Sequence, residues 1–187
     1  MKSVVIALVG EIGAGKETCK DILWDVLHER GFYQSKAVIR FSDILFATLQ
    51  NWDIVTSRPN LQKLAQAMNK AYGQGTLTRA VLKRIEDDQH EIKVVDGVRW
   101  LTDAKMVRSL PRSILVYITA DQNTRYERAK TRNAKAGEGQ MTLEEFQNLN
   151  QAKNEVDIPK IGATADFKIV NNGTLQEYRA QVVTCFE

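Results

Sequence analysis

Hydrophobic positions in this 187-residue chain fall into short unbroken runs separated by longer amphipathic stretches. Runs rich in β-branched residues stand at 3–9, 37–41, 92–96, 113–119 and 167–171, each of a length suited to a buried strand. Between them the spacing changes to that of helices. Cys19, Ile22, Leu23, Val26 and Leu27 share one helical face, as do Leu61, Leu64, Ala65, Met68 and Ala71 over 60–71, and Val81, Leu82 and Ile85 over 77–88. Strands alternating with helical crossovers predict an α/β fold built on a parallel sheet. Thr142 with Glu145, and Thr174 with Glu177, read as capping boxes opening two later helices. Ser42 or Asp43, in Phe41-Ser42-Asp43, reads as the N-cap of the helix that follows the second strand.

The turn between the first strand and first helix carries the clearest chemistry. Gly10-Glu11-Ile12-Gly13-Ala14-Gly15-Lys16 is a P-loop in its expected strand–loop–helix setting. Its glycines let backbone N–H groups converge on a phosphate, the helix N-terminus adds its dipole, and Lys16 supplies a mobile charge. Gly10, Gly13, Ala14, Gly15 and Lys16 are therefore expected to bind the polyphosphate of a nucleotide. The position after the lysine departs from the usual pattern. Glu17 stands where Ser or Thr would ligate magnesium, and Thr18 comes next.

Further candidates gather where the strands end. Asp96-Gly97-Val98-Arg99 closes the third strand, placing a carboxylate and a guanidinium at the sheet edge where ligands of doubly wound sheets bind. Asp96 is expected to hold magnesium through water and Arg99 to grip an acceptor phosphate in bidentate fashion; a turn cap and a surface arginine are the plainer readings. Arg125, Arg128 and Arg132 lie along one side of a helix, directly before the flexible stretch 133–140. Arginines arriving with a lid would stabilise the charge of a transferring phosphoryl group, with Arg128 and Arg132 the favoured contacts; a solvated helix face is the alternative.

These motifs resemble the P-loop nucleotide-kinase superfamily over nearly the whole chain, and most closely its deoxynucleoside-monophosphate kinases. Gly15-Lys16-Glu17-Thr18 is similar to their loop ending, and Asp96-Gly97-Val98-Arg99 resembles their Asp-Gly-x-Arg, where adenylate kinases carry the longer Asp-Gly-Phe-Pro-Arg. Arg58-Pro59-Asn60-Leu61-Gln62 resembles an acceptor-binding stretch of the same family. The resemblance implies a three-layer P-loop fold, a five-stranded parallel sheet flanked by helices with a helical acceptor-binding insertion and a lid. It implies that Thr18 contacts the α-phosphate, that Asn172 and Gly173 neighbour the donor adenine, and that Ser42, Asp43 and Arg58 face the acceptor. On the helix that follows, the spacing puts Gln62, Gln66 and Asn69 on one face opposite the apolar one, where their amides would read an acceptor base edge, a solvated stripe being the plainer reading. The activity it implies is ATP- and Mg2+-dependent phosphorylation of a nucleoside monophosphate to the diphosphate. Lys16, Arg99, Arg128 and Arg132 would be the catalytic groups. A dephospho-coenzyme-A kinase, with Asp43 as base for a ribose hydroxyl, is the rival enzyme, and a P-loop NTPase switch the rival from another class.

Composition sets the remaining limits. A hydrophobic content of 43% over this length suits one domain with a sizeable core, which the resemblance divides into core 1–42, 91–132 and 158–187, acceptor-binding region 43–90 and lid 133–157. A net charge of +3 fits anionic small substrates and is too small to argue for a nucleic-acid surface. Two separated cysteines and two isolated histidines give no metal-ligand spacing, so neither zinc nor a disulfide is expected. The first apolar run is too short for a signal peptide or membrane span and ends in the phosphate loop, which predicts a cytoplasmic protein, monomeric or homodimeric, without membrane partners.

Overall fold

Val4 to Val9 form the innermost strand of a parallel sheet, and the alternation of their side chains divides the core in two. Val5, Ala7 and Val9 point to one face, and Ile6 and Leu8 to the other. In this computed structural model, residues 3–31, 36–131 and 141–186 are described, with Arg58 described by its backbone alone. Five strands, β1 (Val4–Val9), β2 (Lys36–Arg40), β3 (Ile92–Asp96), β4 (Ser113–Thr119) and β5 (Phe167–Val170), lie in the order β2-β3-β1-β4-β5. Every pairing is parallel, as helical crossovers demand.

The first face of the sheet packs under α4 (Thr76–Asp87), α5 (Leu101–Ser109) and the short α8 (Ile158–Gly162), through Val81, Ile85, Val107, Ile158 and Ile161. The second packs under α1 (Lys16–Glu29) and α9 (Leu175–Thr184), with all five predicted α1 face residues buried. Each large aliphatic side chain enclosed this way contributes about 1.5–3 kcal/mol. Between β2 and β3 the chain builds three helices, α2 (Phe41–Asn51), α3 (Arg58–Tyr72) and α4, more than a single crossover needs. After β4 come α6 (Gln122–Thr131) and α7 (Leu143–Asn150). No described helix is long and apolar enough to cross a membrane.

Both capping boxes form. Thr142 accepts from the Glu145 amide at 3.2 Å while Glu145 accepts from the Thr142 amide at 2.7 Å, and Thr174 and Glu177 repeat the arrangement at 3.2 and 2.7 Å. At α2 the expectation is corrected. The helix takes up Phe41 as its first residue, and extended Arg40 is the N-cap. Ser42 and Asp43 thus lie inside the first turn, where Asp43 still meets the positive end of the helix dipole. Strand β2 correspondingly ends at Arg40 instead of running through position 41.

Candidate functional site

The loop after β1 turns on two left-handed glycines. Gly13 has φ +79° and Gly15 φ +104°, and a Cβ at either would fall 2.2 Å from the Arg125 carbonyl oxygen or 2.4 Å from the Asn171 amide nitrogen. Only glycine satisfies both the backbone conformation and the space. Ala14 is fully buried beneath the loop. The Lys16 ammonium folds back over it and donates to the Gly10 and Glu11 carbonyls at 2.6 and 3.1 Å. These carbonyls hold the charge over the glycine turn, on a flexible four-carbon stem that can swing.

The last strand braces the loop. The Asn171 amide donates to the Ala14 carbonyl at 3.0 Å, and the Tyr178 hydroxyl of α9 donates to the Gly15 carbonyl at 3.0 Å. Tyr178 is buried, which raises its pKa well above the ordinary phenol value. A cavity lies here beside the first turn of α1, lined by Gly15, Thr18, Arg128, Asn171, Gly173 and Tyr178. It thus contains Gly173, one of the two expected base neighbours. Asn172 is exposed, and its side-chain oxygen accepts from the Asp121 amide at 2.8 Å, tying the loop after β5 to the start of α6.

Charged groups form a chain along the floor of the loop. Lys20, 2% exposed, donates to Glu17 at 2.6 Å and to Asp96 at 2.9 Å. Arg40 reaches Glu17 at 3.2 Å and lies 4.0 Å from Asp96. Burial alone would raise the Asp96 pKa, but Lys20, with Lys16 and Arg40 beyond it, outweighs burial and holds the carboxyl below its ordinary value. Glu17 is lowered on the same balance, burial opposing Lys20 and Arg40. Asp96 therefore stands where the sequence places it, next to the loop, with one oxygen engaged by an ammonium. Among the described residues no group of three or more His, Cys, Asp or Glu side chains converges as a metal site.

Arg99 occupies the turn after β3. The buried Asp103 carboxylate shapes that turn by accepting from the amides of Arg99 and Trp100 at 3.2 and 3.1 Å and from the Thr78 hydroxyl at 2.6 Å. Burial raises the Asp103 pKa against these hydrogen bonds. The Arg99 guanidinium pairs with Glu155, which is itself 4% exposed and lies just before α8. Glu11 joins the same side of the sheet, with one carboxylate oxygen accepting from the Tyr117 hydroxyl at 2.5 Å. Tyr117 is pushed up to about 12 by burial and then by Glu11.

The arginines of α6 have distinct tasks. Arg125 is buried and donates to the carbonyls of Ala120 at 3.0 Å and Ile12 at 3.3 Å and to the Asn150 side chain at 2.7 Å; it fastens α6 and α7 to the phosphate loop. Arg128 donates to the Asn171 carbonyl at 2.8 Å and lines the cavity beside Gly15. Arg132 and the stretch 133–140 lie outside the described residues, as does the Arg58 side chain. On α3, Gln62 reaches the Asn154 side chain at 3.4 Å, Asn69 accepts from the Thr76 amide at 3.2 Å, and Gln66 is exposed.

Sequence reasoning missed Lys20, Glu11, Tyr117 and Asn171. Lys20 left a faint signal, being directly next to Cys19 in the apolar face pattern and one turn beyond Lys16. The partners of Tyr117 and Asn171 lie 106 and 157 residues away, and no local pattern records them.

No protein-family model matches the chain. It is 26% identical over 178 residues to a UPF0200 protein of Hyperthermus butylicus, a match covering 95% of this chain and 90% of that protein. Among solved structures it is similar to shikimate kinase from Bacteroides thetaiotaomicron, with TM-score 0.62, 12% identity and coverage of 97% and 96%. A gluconokinase from Sinorhizobium meliloti matches with TM-score 0.54, 14% identity and coverage of 97% and 90%. The fold, a five-stranded parallel sheet flanked by helices, is one that the chain shares with these two kinases. At such identities the likeness concerns architecture, and function must be argued from the site.

Proposed function

We propose that this protein transfers the γ-phosphoryl group of ATP, carried as its magnesium complex, to a nucleoside monophosphate, giving the diphosphate and ADP. The carrying observation is that the glycine loop with Lys16 and the Asp96-to-Arg99 turn follow neighbouring strands, β1 and β3, and so open at one sheet edge, which supports reading the first as donor cradle and the second as acceptor cation. The loop amides and Lys16 take the β- and γ-phosphates, Thr18 takes the α-phosphate, and Gly173 and Asn172 neighbour the adenine. Arg99 exchanges its Glu155 partner for the acceptor phosphate. Ser42, Asp43, Arg58, Gln62 and Gln66 border the acceptor. Arg128, with Arg132, meets the charge on the transferring group. A monophosphate nucleophile is already anionic, so the reaction needs positioning and charge stabilisation more than a general base.

A second reading has its own support. Two matched solved structures are named as shikimate kinase and gluconokinase, and Asp43, in the first turn of α2, is a carboxylate at the acceptor end. Phosphorylation of a hydroxyl, as in a dephospho-coenzyme-A kinase, would use Asp43 as base.

The two readings separate in one screen of ADP formation against ribo- and deoxynucleoside monophosphates, dephospho-coenzyme A, shikimate and gluconate, with Asp43→Asn alongside. Stimulation by a monophosphate that survives Asp43→Asn supports the first reading. Stimulation by a hydroxyl acceptor, abolished by Asp43→Asn while ATP affinity holds, supports the second. A steady ATPase rate indifferent to every acceptor contradicts both and favours an NTPase switch.

A further inference from the structure

In P-loop enzymes the position after the loop lysine and a carboxylate on a neighbouring strand together hold magnesium. Here those positions are Glu17 and Asp96, and the space between their carboxylates is filled. The Lys20 ammonium lies 2.6 Å from Glu17 and 2.9 Å from Asp96 with the side chain 2% exposed. Its three donors suit two carboxylates at these distances. Arg40 brings a second positive charge, 3.2 Å from Glu17. Two carboxylates and two cations leave the network neutral. The residues therefore do not fit a divalent ion held directly by the protein, since such an ion needs oxygen donors whose charge is unspent and would meet an ammonium at its centre.

We propose that Lys20 is the resident cation of this phosphate site, taking the place between Glu17 and Asp96 that a protein-held metal ion occupies elsewhere. Two bare carboxylates beneath a polyphosphate would repel it, and Lys20 cancels that repulsion without an ion from solution. Glu17 in place of Ser or Thr then has a reason: a carboxylate balances the charge of an ammonium buried as deeply as Lys20, where a metal accepts a neutral hydroxyl. The protein consequently binds no divalent ion at this place in the absence of nucleotide, and it retains nucleotide affinity when divalent ions are removed. The inference rests on the loop being a nucleotide site and is independent of the acceptor, so a failed acceptor screen leaves it standing.

The test is calorimetric titration of the full chain with Mn2+ alone, and with ATP in excess EDTA. The wild type is expected to show no stoichiometric Mn2+ binding and to bind ATP in EDTA. Lys20→Met, which keeps the aliphatic stem and removes the charge, is expected to gain a Mn2+ site at least on the order of tenfold tighter than any in the wild type. The same variant should lose ATP affinity in EDTA by a similar factor and recover it with Mn2+, whereas Lys20→Arg should behave as the wild type does. If Lys20→Met does not fold, the wild type compared with Glu17→Gln/Asp96→Asn still decides. Stoichiometric Mn2+ binding by the wild type that the double variant abolishes overturns the proposal, as does a folded Lys20→Met that gains no Mn2+ site. Failure of the wild type to bind ATP under any condition would instead remove the nucleotide reading on which the inference stands.

Discussion

The side-chain amide of Asn171 donates to the carbonyl of Ala14 at 3.0 Å, so the loop that follows the last strand holds the loop that follows the first. The contact is buried, with Asn171 6% exposed, and the amide nitrogen sits where any side chain on Gly15 would have to go. Asn171→Ala leaves the Ala14 carbonyl unsatisfied and opens a gap beneath the glycine loop. A loss of about 1–3 kcal/mol in unfolding free energy is expected, with weaker ATP binding, both read by chemical denaturation with and without ATP. An unchanged ATP affinity would mean that the brace does not set the loop's shape.

Arg125 and Arg128 lie one turn apart on α6 and should respond to substitution in different ways. Arg125→Ala strands the buried Ala120 carbonyl and the partly buried Ile12 carbonyl and Asn150 side chain, so it lowers the melting temperature by several degrees, given about 2–4 °C per kcal/mol at this chain length. Arg128→Ala removes a cation from the cavity wall and is expected to lower turnover with a smaller thermal shift. Thermal unfolding beside steady-state kinetics separates the two. Equal thermal losses with equal turnover would contradict the division.

The Asp96 network predicts an acid-side signature. Because Lys20 holds the folded carboxyl below its ordinary value, the unfolded carboxyl, near about 3.9, takes up a proton first. The stability this group contributes is complete above that value and is lost as pH falls toward the folded pKa. The stability difference between wild type and Asp96→Asn is therefore largest at neutral pH and closes on acidification. A difference that widens in acid would contradict the arrangement.

Lys16→Ala is expected to cost on the order of a hundredfold or more in turnover, because on the proposed function it removes the charge that meets the transferring phosphate. Gln66→Ala, at an exposed position on α3, is expected to change acceptor preference if it changes anything. Similar losses in both variants, with no change in preference, would count against the assigned roles.

The sheet, its crossovers and the glycine turn after β1 were legible because their signals are local. β-Branched runs, helical spacing and capping boxes each act within a few residues, and β3 and β4 fall where their hydrophobic runs do. The start of α2 was not. Phe41 continues the apolar run of β2, yet its burial at 5% exposure against the first sheet face is compatible with a helix opening there, and Ser42 loses the capping role it would take in isolation. Lys20 was illegible for a different reason. A lysine beside an apolar face usually marks the solvent boundary, and its partner Asp96 stands 76 residues away. The arginine triplet looked uniform in sequence, and only the packing of α7 against α6 distinguishes buried Arg125 from cavity-lining Arg128.

The most direct test of the central claim follows the fate of the phosphoryl group itself. With γ-32P-labelled ATP and a panel of nucleoside monophosphates, the account predicts label in a nucleoside diphosphate, formed in step with ADP and lost in Lys16→Ala. Label appearing only as inorganic phosphate, at a rate the acceptors do not alter, would contradict it.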